Sequence, residues 1–372
     1  MSWTTATWRS GCRRQGRRPR HSLPGSWSWS AWSVRCVRWP VADLPAAPTA
    51  NVYPLWVVIL NWNLPEETIA CVRSVQAAAP PHGEIQILVV DNGSRDDSLP
   101  QMAAAFGVGQ PDAAIHLLET GANLGFAGGM NAGARFALAQ GAASVLLLNN
   151  DTLVDPMMLA HLAAALACDP AVGLAGPAIY YHAAPTRIWR FGDNEYAWLP
   201  IPRRIPDAAV TAGDGAPRAV DYITACAMLV RRAVFERIGF LDESFFFYFE
   251  DADFCRRARN AGFGIRGVPR AKMWHKVSLS AQRARATTYY AGAWARVQFY
   301  RRHPHGKLPW LVHPYLWGRA LLASVGHLAR GEWALLGPLW RGMVDGYTDS
   351  ITAEGAENAK KREKKKEEKG SE

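Results

Sequence analysis

Apolar runs and polar stretches alternate regularly along the chain from Pro54 onward. Leu55–Leu60 is an apolar, β-rich run ended by Asn61-Trp62-Asn63. Pro65 with Glu66 and Glu67 opens a helical stretch to about Ala79, because proline and acids favour a first helical turn. Ile85–Val90 is a second apolar run, stopped by the turn-forming Asp91-Asn92-Gly93-Ser94, and a helix follows to about Phe106. Ile115–Leu118 reads as a third strand, Gly125–Gln140 as a helix with a glycine-rich start, and Val145–Leu148 as a fourth strand closed by Asn149-Asn150-Asp151. Strands alternating with helices predict a mainly parallel sheet covered on both faces. Ligands of such sheets bind beyond the carboxyl ends of the strands, where Trp62, Asp91 and Asp151 stand.

The second half is less periodic. Residues 181–219 carry Pro, Gly and Trp without a repeat and read as a long loop or insertion over the cleft. Asp221–Val230 reads as a buried strand with a short helix from Arg231, and Phe245–Phe249 is entirely aromatic. Glu250–Ala261 has a helical pattern, with Ala252, Phe254, Cys255 and Ala258 apolar, Arg256, Arg257 and Arg259 free to face water, and Gly262 as the stop. Ile265–Val268 and Met273-Trp274-His275 suggest two further strand segments. From Thr287 to Tyr347, Trp310, Trp317, Trp333 and Trp340 recur among Arg302, Lys307, Arg319, Arg330 and Arg341. Two readings stay open there: a helical cap packed on the domain, and basic amphipathic helices lying in a membrane interface. The chain thus divides into an extension over 1–50, a catalytic-type domain over 51–285, a helical region over 286–350 and a charged tail over 351–372.

Charge and composition refine this division. The chain has 372 residues and a formal net charge of +10. Residues 1–50 hold eight Arg against Asp43 alone, so most of the excess is detachable from the fold and is no nucleic-acid footprint. That segment is rich in Trp, Arg and Ser without periodicity; two readings stay open, a disordered extension, which a start assigned upstream of the true one would explain, and a basic, Trp-bearing arm on a membrane surface. The tail from Glu354 mixes seven Lys/Arg with six Glu and reads as a solvated run. The six cysteines, at 12, 36, 71, 168, 226 and 255, have no CxxC or zinc spacing and read as free thiols in a reducing compartment. No apolar run of about 18 residues is present. The expectation is a cytoplasmic protein, with peripheral contact to the inner membrane face left open.

Several positions carry chemistry. Asp91 follows the strand ILVV; it suits an Asx turn capping the next helix, and it suits a carboxylate accepting the imide N–H of uracil or thymine. Trp62 beside it is either a packing residue or a platform on which a base stacks, a contact of roughly 1–3 kcal/mol. The stretch from Gly121 to Asn131 is glycine-rich at a helix start, which lets backbone approach a diphosphate or ribose. It is neither GxGxxG after the first strand nor GxxxxGK[ST], which argues against dinucleotide and P-loop folds. Asp151 places one hard oxygen ligand at the sheet edge, enough for Mg2+ or Mn2+ when phosphates supply the rest. Glu250, Asp251 and Asp253 suit the helix dipole, and an apolar wall beside a carboxylate also raises its pKa toward that of a useful base. His275 is a lone histidine of the right kind to complete a metal site.

Together these stretches resemble family 2 glycosyltransferases of the GT-A fold, in the branch called rhamnosyltransferase-like. VVILNWN, ILVVDNGSRDDS, ETGANLGFAGGMNAG, LLLNNDTLVDP, the run from Ile223 to Phe263, and MWHKVSLS occur in the family's order across roughly residues 55–280. The resemblance implies an α/β fold of GT-A type, a mixed, mainly parallel sheet flanked by helices, with a C-terminal helical extension. It makes Asp91 the nucleobase carboxylate and puts Asn61, Trp62, Asn63, Asn123, Gly125, Asn131, Asn150 and Trp274 on substrate. It makes Asp151 the last acid of an Asp-x-Asp metal motif, His275 a ligand of the same Mg2+ or Mn2+, and Asp251 the catalytic base with Glu250 beside it. The motif here reads Asn-Asn-Asp, so its first acid is missing, and Trp62 stands where Tyr is common.

The implied reaction is inverting transfer from a nucleotide-sugar donor, dTDP-rhamnose or a UDP-sugar, to a saccharide or lipid-linked saccharide in cell-wall or surface-polysaccharide synthesis. A sugar-nucleotide-forming nucleotidyltransferase would need a basic glycine-rich loop where Asn61–Glu67 has neither Gly nor Lys. A non-catalytic sugar-nucleotide-binding or scaffold protein would be expected to lose Asp151, Asp251 or His275, and all three are present. Neither the particular sugar nor the oligomeric state is legible.

Overall fold

The computed structural model describes residues 52–78, 85–107, 115–196, 202–212, 215–245, 248–277, 285–304 and 308–349. The readings made for 1–50 and for the tail lie outside the described residues.

The alternating first half folds as its pattern predicts. β1 (Leu55–Asn61), β2 (Ile85–Asp91), β3 (Ile115–Glu119) and β4 (Ser144–Asn149) lie in the order β4-β1-β2-β3, all parallel. Their near-continuous apolar runs follow from burial on both faces, which α1 (Pro65–Ala77), α2 (Ser98–Phe106) and α3 (Gly125–Ala139) help to cover. Pro65 opens α1, and Gly107 closes α2 in the left-handed conformation.

The sheet then turns mixed. The short β5 (Thr152–Val154) follows β4, and α4 (Met158–Ala167) packs behind β6 (Val172–Tyr181). The segment expected to be a loop is built of strands: β7 (Ala184–Arg190) pairs with β6, β8 (Asp193–Glu195) forms a ribbon with β9 (Pro202–Arg204), and β10 (Arg218–Ala219) pairs antiparallel with a later strand. A helix of five residues, α5 (Asp207–Thr211), lies between β9 and β10. β8, β9 and β10 are two or three residues long, and β7 shows no alternation of buried and exposed positions, so they lack the pattern by which a strand is recognised.

β11 (Ala227–Arg231) inserts antiparallel between β4 and β6 and is followed by α6 (Arg232–Ile238). It is shorter than the expected strand from Asp221. Residues 221–226 cross the site instead, with Tyr222 bridged to Asp193. After α7 (Glu250–Asn260), β12 (Gly264–His275) runs parallel to β6. The two strand segments read from sequence are one strand, whose register shifts between Val268 and Lys272 around Pro269, which has no N–H for the ladder. Among the described residues the sheet has ten strands.

Three further helices, α8 (Arg285–Arg302), α9 (Val312–Ala329) and α10 (Leu336–Thr348), share a core built from Trp294, Val297, Phe299, Leu316, Leu339 and Met343 with Phe245 beneath it. The approach of α10 to α8 is close: a Cβ on Gly342 would lie 2.3 Å from the Tyr290 carbonyl oxygen. The helical-cap reading therefore describes the inner face. The outer face leaves Leu322 and Val325 of α9 exposed (76% and 63%). No helix among the described residues is long and apolar enough to cross a membrane.

Candidate active site

Asp151 stands in the turn between β4 and β5, and His275 ends β12. Pairing of β5 with β12 sets Thr152 opposite His275, and the Lys276 N–H donates to the Asp151 carbonyl over 3.0 Å. The imidazole Nε2 consequently lies 3.0 Å from Asp151 Oδ1, and both residues are buried. Adjacent vertices of an octahedron with arms of about 2.1 Å are about 3.0 Å apart, so this pair has the spacing of two neighbouring ligands of Mg2+ or Mn2+. Among the described residues, Asn149 Oδ1 and His275 Nδ1 are buried without a hydrogen-bond partner, and Asn149, Asp151 and His275 line one cavity. A carboxylate, an imidazole and a neutral amide oxygen fit a hard divalent cation whose remaining ligands come from phosphate or water. Among the described residues no three His, Cys, Asp or Glu side chains gather at one point, here included, so the site offers two such side chains and an amide.

The same cavity, about 1200 Å³, is lined by Glu250 and Asp251 in the first turn of α7. Asp251 Oδ2 accepts a hydrogen bond of 2.7 Å from the Tyr222 hydroxyl and one of 3.2 Å from the Ala225 N–H. Burial, with the Asp251 charge second, holds the Tyr222 hydroxyl well above its usual pKa, so it remains a donor. Glu250 differs. Its Oε2 is buried without a partner among the described residues, and burial together with the Asp251 charge pushes its carboxyl well above the usual carboxylate range. Asp251 is thus held by two donors, whereas Glu250 is a carboxyl that favours its proton. Asp193, also on the cavity wall, is raised by burial although Arg190 donates to it over 2.9 Å.

The backbone here is strained. Tyr248 and Phe249, just before α7, both take left-handed conformations (φ 72° and 69°). Such a conformation costs bulky residues about 1–3 kcal/mol each and persists at sites that fix a side chain's aim. Asn63 and Val277, beside two other parts of the site, also have positive φ.

The residues at the ends of β1 and β2 form a separate, tightly bonded cluster. Asn61 faces Asp91 across the parallel pair and donates to its Oδ1 over 2.8 Å, while Ser94 donates to Asp91 through both hydroxyl (2.6 Å) and N–H (3.0 Å). Asp91 is thus 1% exposed, in the Asx-type turn its sequence suggested. Asn61 also accepts from Thr68, which in turn accepts from Asn150. Asn63 accepts from the Arg95 N–H, and Trp62 stands 42% exposed at the strand end. Asn92 joins this cluster to the glycine-rich turn by donating to Asn123 and to the Gly125 carbonyl.

Several expected ligand residues are occupied elsewhere. Asn131 is buried and gives its amide to Leu241 and Glu243, tying α3 to the following loop. Gly129 and Gly133 let α3 lie against the sheet: a Cβ would meet Leu60 Cδ1 at 2.4 Å or Val58 Cγ1 at 2.3 Å. Trp274 neighbours His275 in a strand, so the two point to opposite faces; its indole donates to the Pro185 carbonyl over 3.2 Å and packs with Tyr180, away from the cavity. Trp189 of β7 takes the cavity position instead, its ring centroid 4.6 Å from that of His275. Arg256, expected to face water, is buried and paired with Glu195 of β8. Sequence reasoning missed Trp189 and Glu195, which lie in the segment whose strands show no period, and Tyr222, which lies in a stretch read as a buried strand but crosses the site.

A parallel β4-β1-β2-β3 half, an antiparallel β11 inserted beside β4, and a carboxylate–histidine pair at the strand ends define a mixed α/β fold with its candidate site at the ends of the strands. The glycosyl transferase family 2 model matches residues 56–239. An N-acetylglucosaminyl-diphospho-decaprenol L-rhamnosyltransferase of Mycobacterium tuberculosis is 31% identical over 218 residues, covering 54% of this chain and 69% of that protein. A low-salt glycan biosynthesis hexosyltransferase of Haloferax volcanii is 28% identical over 220 residues, 57% of this chain and 63% of that protein, so the chain spans under two thirds of the latter. A mannosyltransferase of Pyrobaculum calidifontis, solved with GDP-mannose and Mn2+, shares the fold with a TM-score of 0.54 at 16% identity, over 83% of this chain and 91% of that one. The chain belongs to glycosyl transferase family 2.

Proposed function

We propose that this protein is an inverting glycosyltransferase that moves a sugar from a nucleoside-diphosphate donor to a hydroxyl of a saccharide or lipid-linked saccharide. The reading rests on one observation above all: Asp251, anchored by Tyr222, shares a single cavity with the Asp151–His275 pair. Asp151 and His275, with Asn149 beside them, are the residues that would hold Mg2+ or Mn2+; such an ion, when bound, neutralises charge on the leaving diphosphate.

Asp251 accepts the proton of the acceptor hydroxyl. The acceptor oxygen forms its bond to the anomeric carbon while the bond to the diphosphate breaks on the opposite face, and the diphosphate leaves with the electron pair. Tyr222 and the Ala225 N–H hold Oδ2 of Asp251, so the carboxylate is aimed before substrate arrives. Glu250, carrying its proton, donates a hydrogen bond to the acceptor or to Asp251. Trp62, Asp91, Asn123 and Gly125 form the donor's base and ribose side, with Asn61, Asn63 and Asn150 holding that cluster in place. The donor we favour is dTDP-rhamnose, with a UDP-sugar as the next candidate, since the mycobacterial relative is named an L-rhamnosyltransferase. That relative's diphospho-decaprenol acceptor supports a lipid-linked acceptor here, met at the inner membrane face.

The test is a thermal-shift panel of thymidine and uridine diphosphates and their sugar conjugates, with and without Mn2+, followed by product analysis for the best donor. A ligand that binds only the native state stabilises it by about 2.7 kcal/mol at a hundredfold excess over Kd. A metal-dependent shift with one nucleotide is expected. A folded protein that no nucleotide stabilises overturns the proposal.

A further inference from the structure

The cavity does not end at Glu250 and Asp251. It continues between α8 and α9, where Arg296, Tyr300, Tyr315, Leu316, Arg319 and Leu322 line it. The Arg296 guanidinium lies over the Phe249 ring, 5.5 Å from its centroid, one residue before Glu250. No carboxylate among the described residues hydrogen-bonds to or ion-pairs with Arg296 or Arg319. The contrast with other arginines near the site is clear: Arg256 pairs with Glu195, Arg257 with Asp253 and Arg302 with Asp242. Burial, with the Arg319 charge second, pulls Arg296 down to about 10, as uncompensated neighbouring cations require. Arg296 and the exposed Arg319 line one cavity and repel each other without a counter-charge, a repulsion that an anion would offset, and planar guanidinium forks suit phosphate oxygens.

The wall beyond the arginines is apolar and opens outward. Leu316 is buried on it, whereas Leu322 is 76% exposed at its rim, next to exposed Leu321 and Val325 on α9. The Asp151–His275 end is built by the β4–β5 turn and β12; the arginines come from different elements, beyond the carboxylate pair. This part of the cavity is therefore placed for the acceptor rather than the donor.

We propose that Arg296 and Arg319 form an acceptor subsite that binds a phosphate or diphosphate carrying an apolar chain, the chain leaving past Leu322 along α9. The proposal rests on the glycosyltransferase reading of the same cavity, and its test separates the two.

Binding of farnesyl diphosphate, inorganic pyrophosphate and farnesol to the full chain is measured by titration calorimetry, alongside thymidine and uridine diphosphates with Mn2+. Farnesyl diphosphate is expected to bind, pyrophosphate about tenfold more weakly with the same arginine dependence, and farnesol not measurably. Arg296→Gln and Arg319→Gln are each expected to weaken farnesyl diphosphate binding at least tenfold and to leave nucleotide binding unchanged; Arg296→Lys, which keeps the charge and loses the fork, is expected to fall between. Arg319→Gln should not melt below the wild type, because no ion pair is lost, whereas Arg296→Gln also gives up the contact with the Phe249 ring. Should Arg296→Gln fail to fold, the exposed Arg319 carries the test. Farnesyl diphosphate binding that ignores both arginines overturns the subsite while intact nucleotide binding leaves the enzyme reading standing. Pyrophosphate binding as tight as farnesyl diphosphate binding overturns the apolar part. Arginine-dependent binding in a protein that takes no nucleotide keeps the subsite and overturns the glycosyltransferase reading.

Discussion

His275 Nε2 lies 3.0 Å from Asp151 Oδ1, although 124 residues separate the two in the chain. The pairing of β5 with β12 holds them at that spacing, and Asn149 stands on the same wall with a free amide oxygen. Where the motif's first acid would stand, the chain has Asn149, whose amide oxygen is buried without a hydrogen-bond partner among the described residues.

Asp151→Ala and His275→Ala should each abolish the Mn2+-dependent part of the thermal stabilisation by the preferred nucleoside diphosphate. Chelation of the wild type should have the same effect. Retention of the metal-dependent shift in both variants would show that the cation is held elsewhere.

Asp251→Asn should lower kcat by about 10²–10⁴-fold, the usual contribution of a general base, with the fold and nucleotide binding intact. Tyr222→Phe removes one of the bonds that aim Asp251 and should lower kcat by a smaller factor with donor KM unchanged. An Asp251→Asn enzyme with normal turnover would sink the assignment of the base.

Glu250 should leave a mark on stability against pH. Burial and the Asp251 charge raise its folded-state pKa above the unfolded value. Stability from this group is therefore complete below about pH 4.3 and is lost as pH rises toward the raised folded value. Glu250→Gln removes that loss. Its melting temperature relative to wild type should climb between pH 5 and pH 8. An offset identical at both pH values, measured by calorimetry, would contradict the burial of an ionisable carboxyl there.

Gly129→Ala and Gly133→Ala should each destabilise the protein by about 1–3 kcal/mol, the cost of overpacking, because the new methyl group meets Leu60 or Val58 of β1. Denaturant unfolding measures this. Wild-type stability in both would mean that α3 stands off the sheet further than the geometry indicates.

The parallel half of the fold and the chemistry at its strand ends were legible in the sequence. Apolar runs buried on both faces are continuous, and each ends at a residue such as Asp91 or Asp151 that breaks the run and marks the cleft. The glycine-rich stretch was legible as a close approach, but not what it approached: its glycines at 129 and 133 face β-strands rather than phosphate. Asn131 and Trp274 were misplaced because composition says nothing of which face a side chain takes.

The sequence by itself determined the strand–helix alternation, the carboxylates and the histidine available to the site, because these depend on local hydrophobic period and residue type. Tertiary structure alone decided which of them meet. Asp151 reaches His275 through a strand pairing, Asp251 is aimed by Tyr222 from the crossing between β10 and β11, and Arg296 and Arg319 come together only because two helices pack. Contacts between residues distant in the chain are set by packing, and packing leaves no repeat in the sequence.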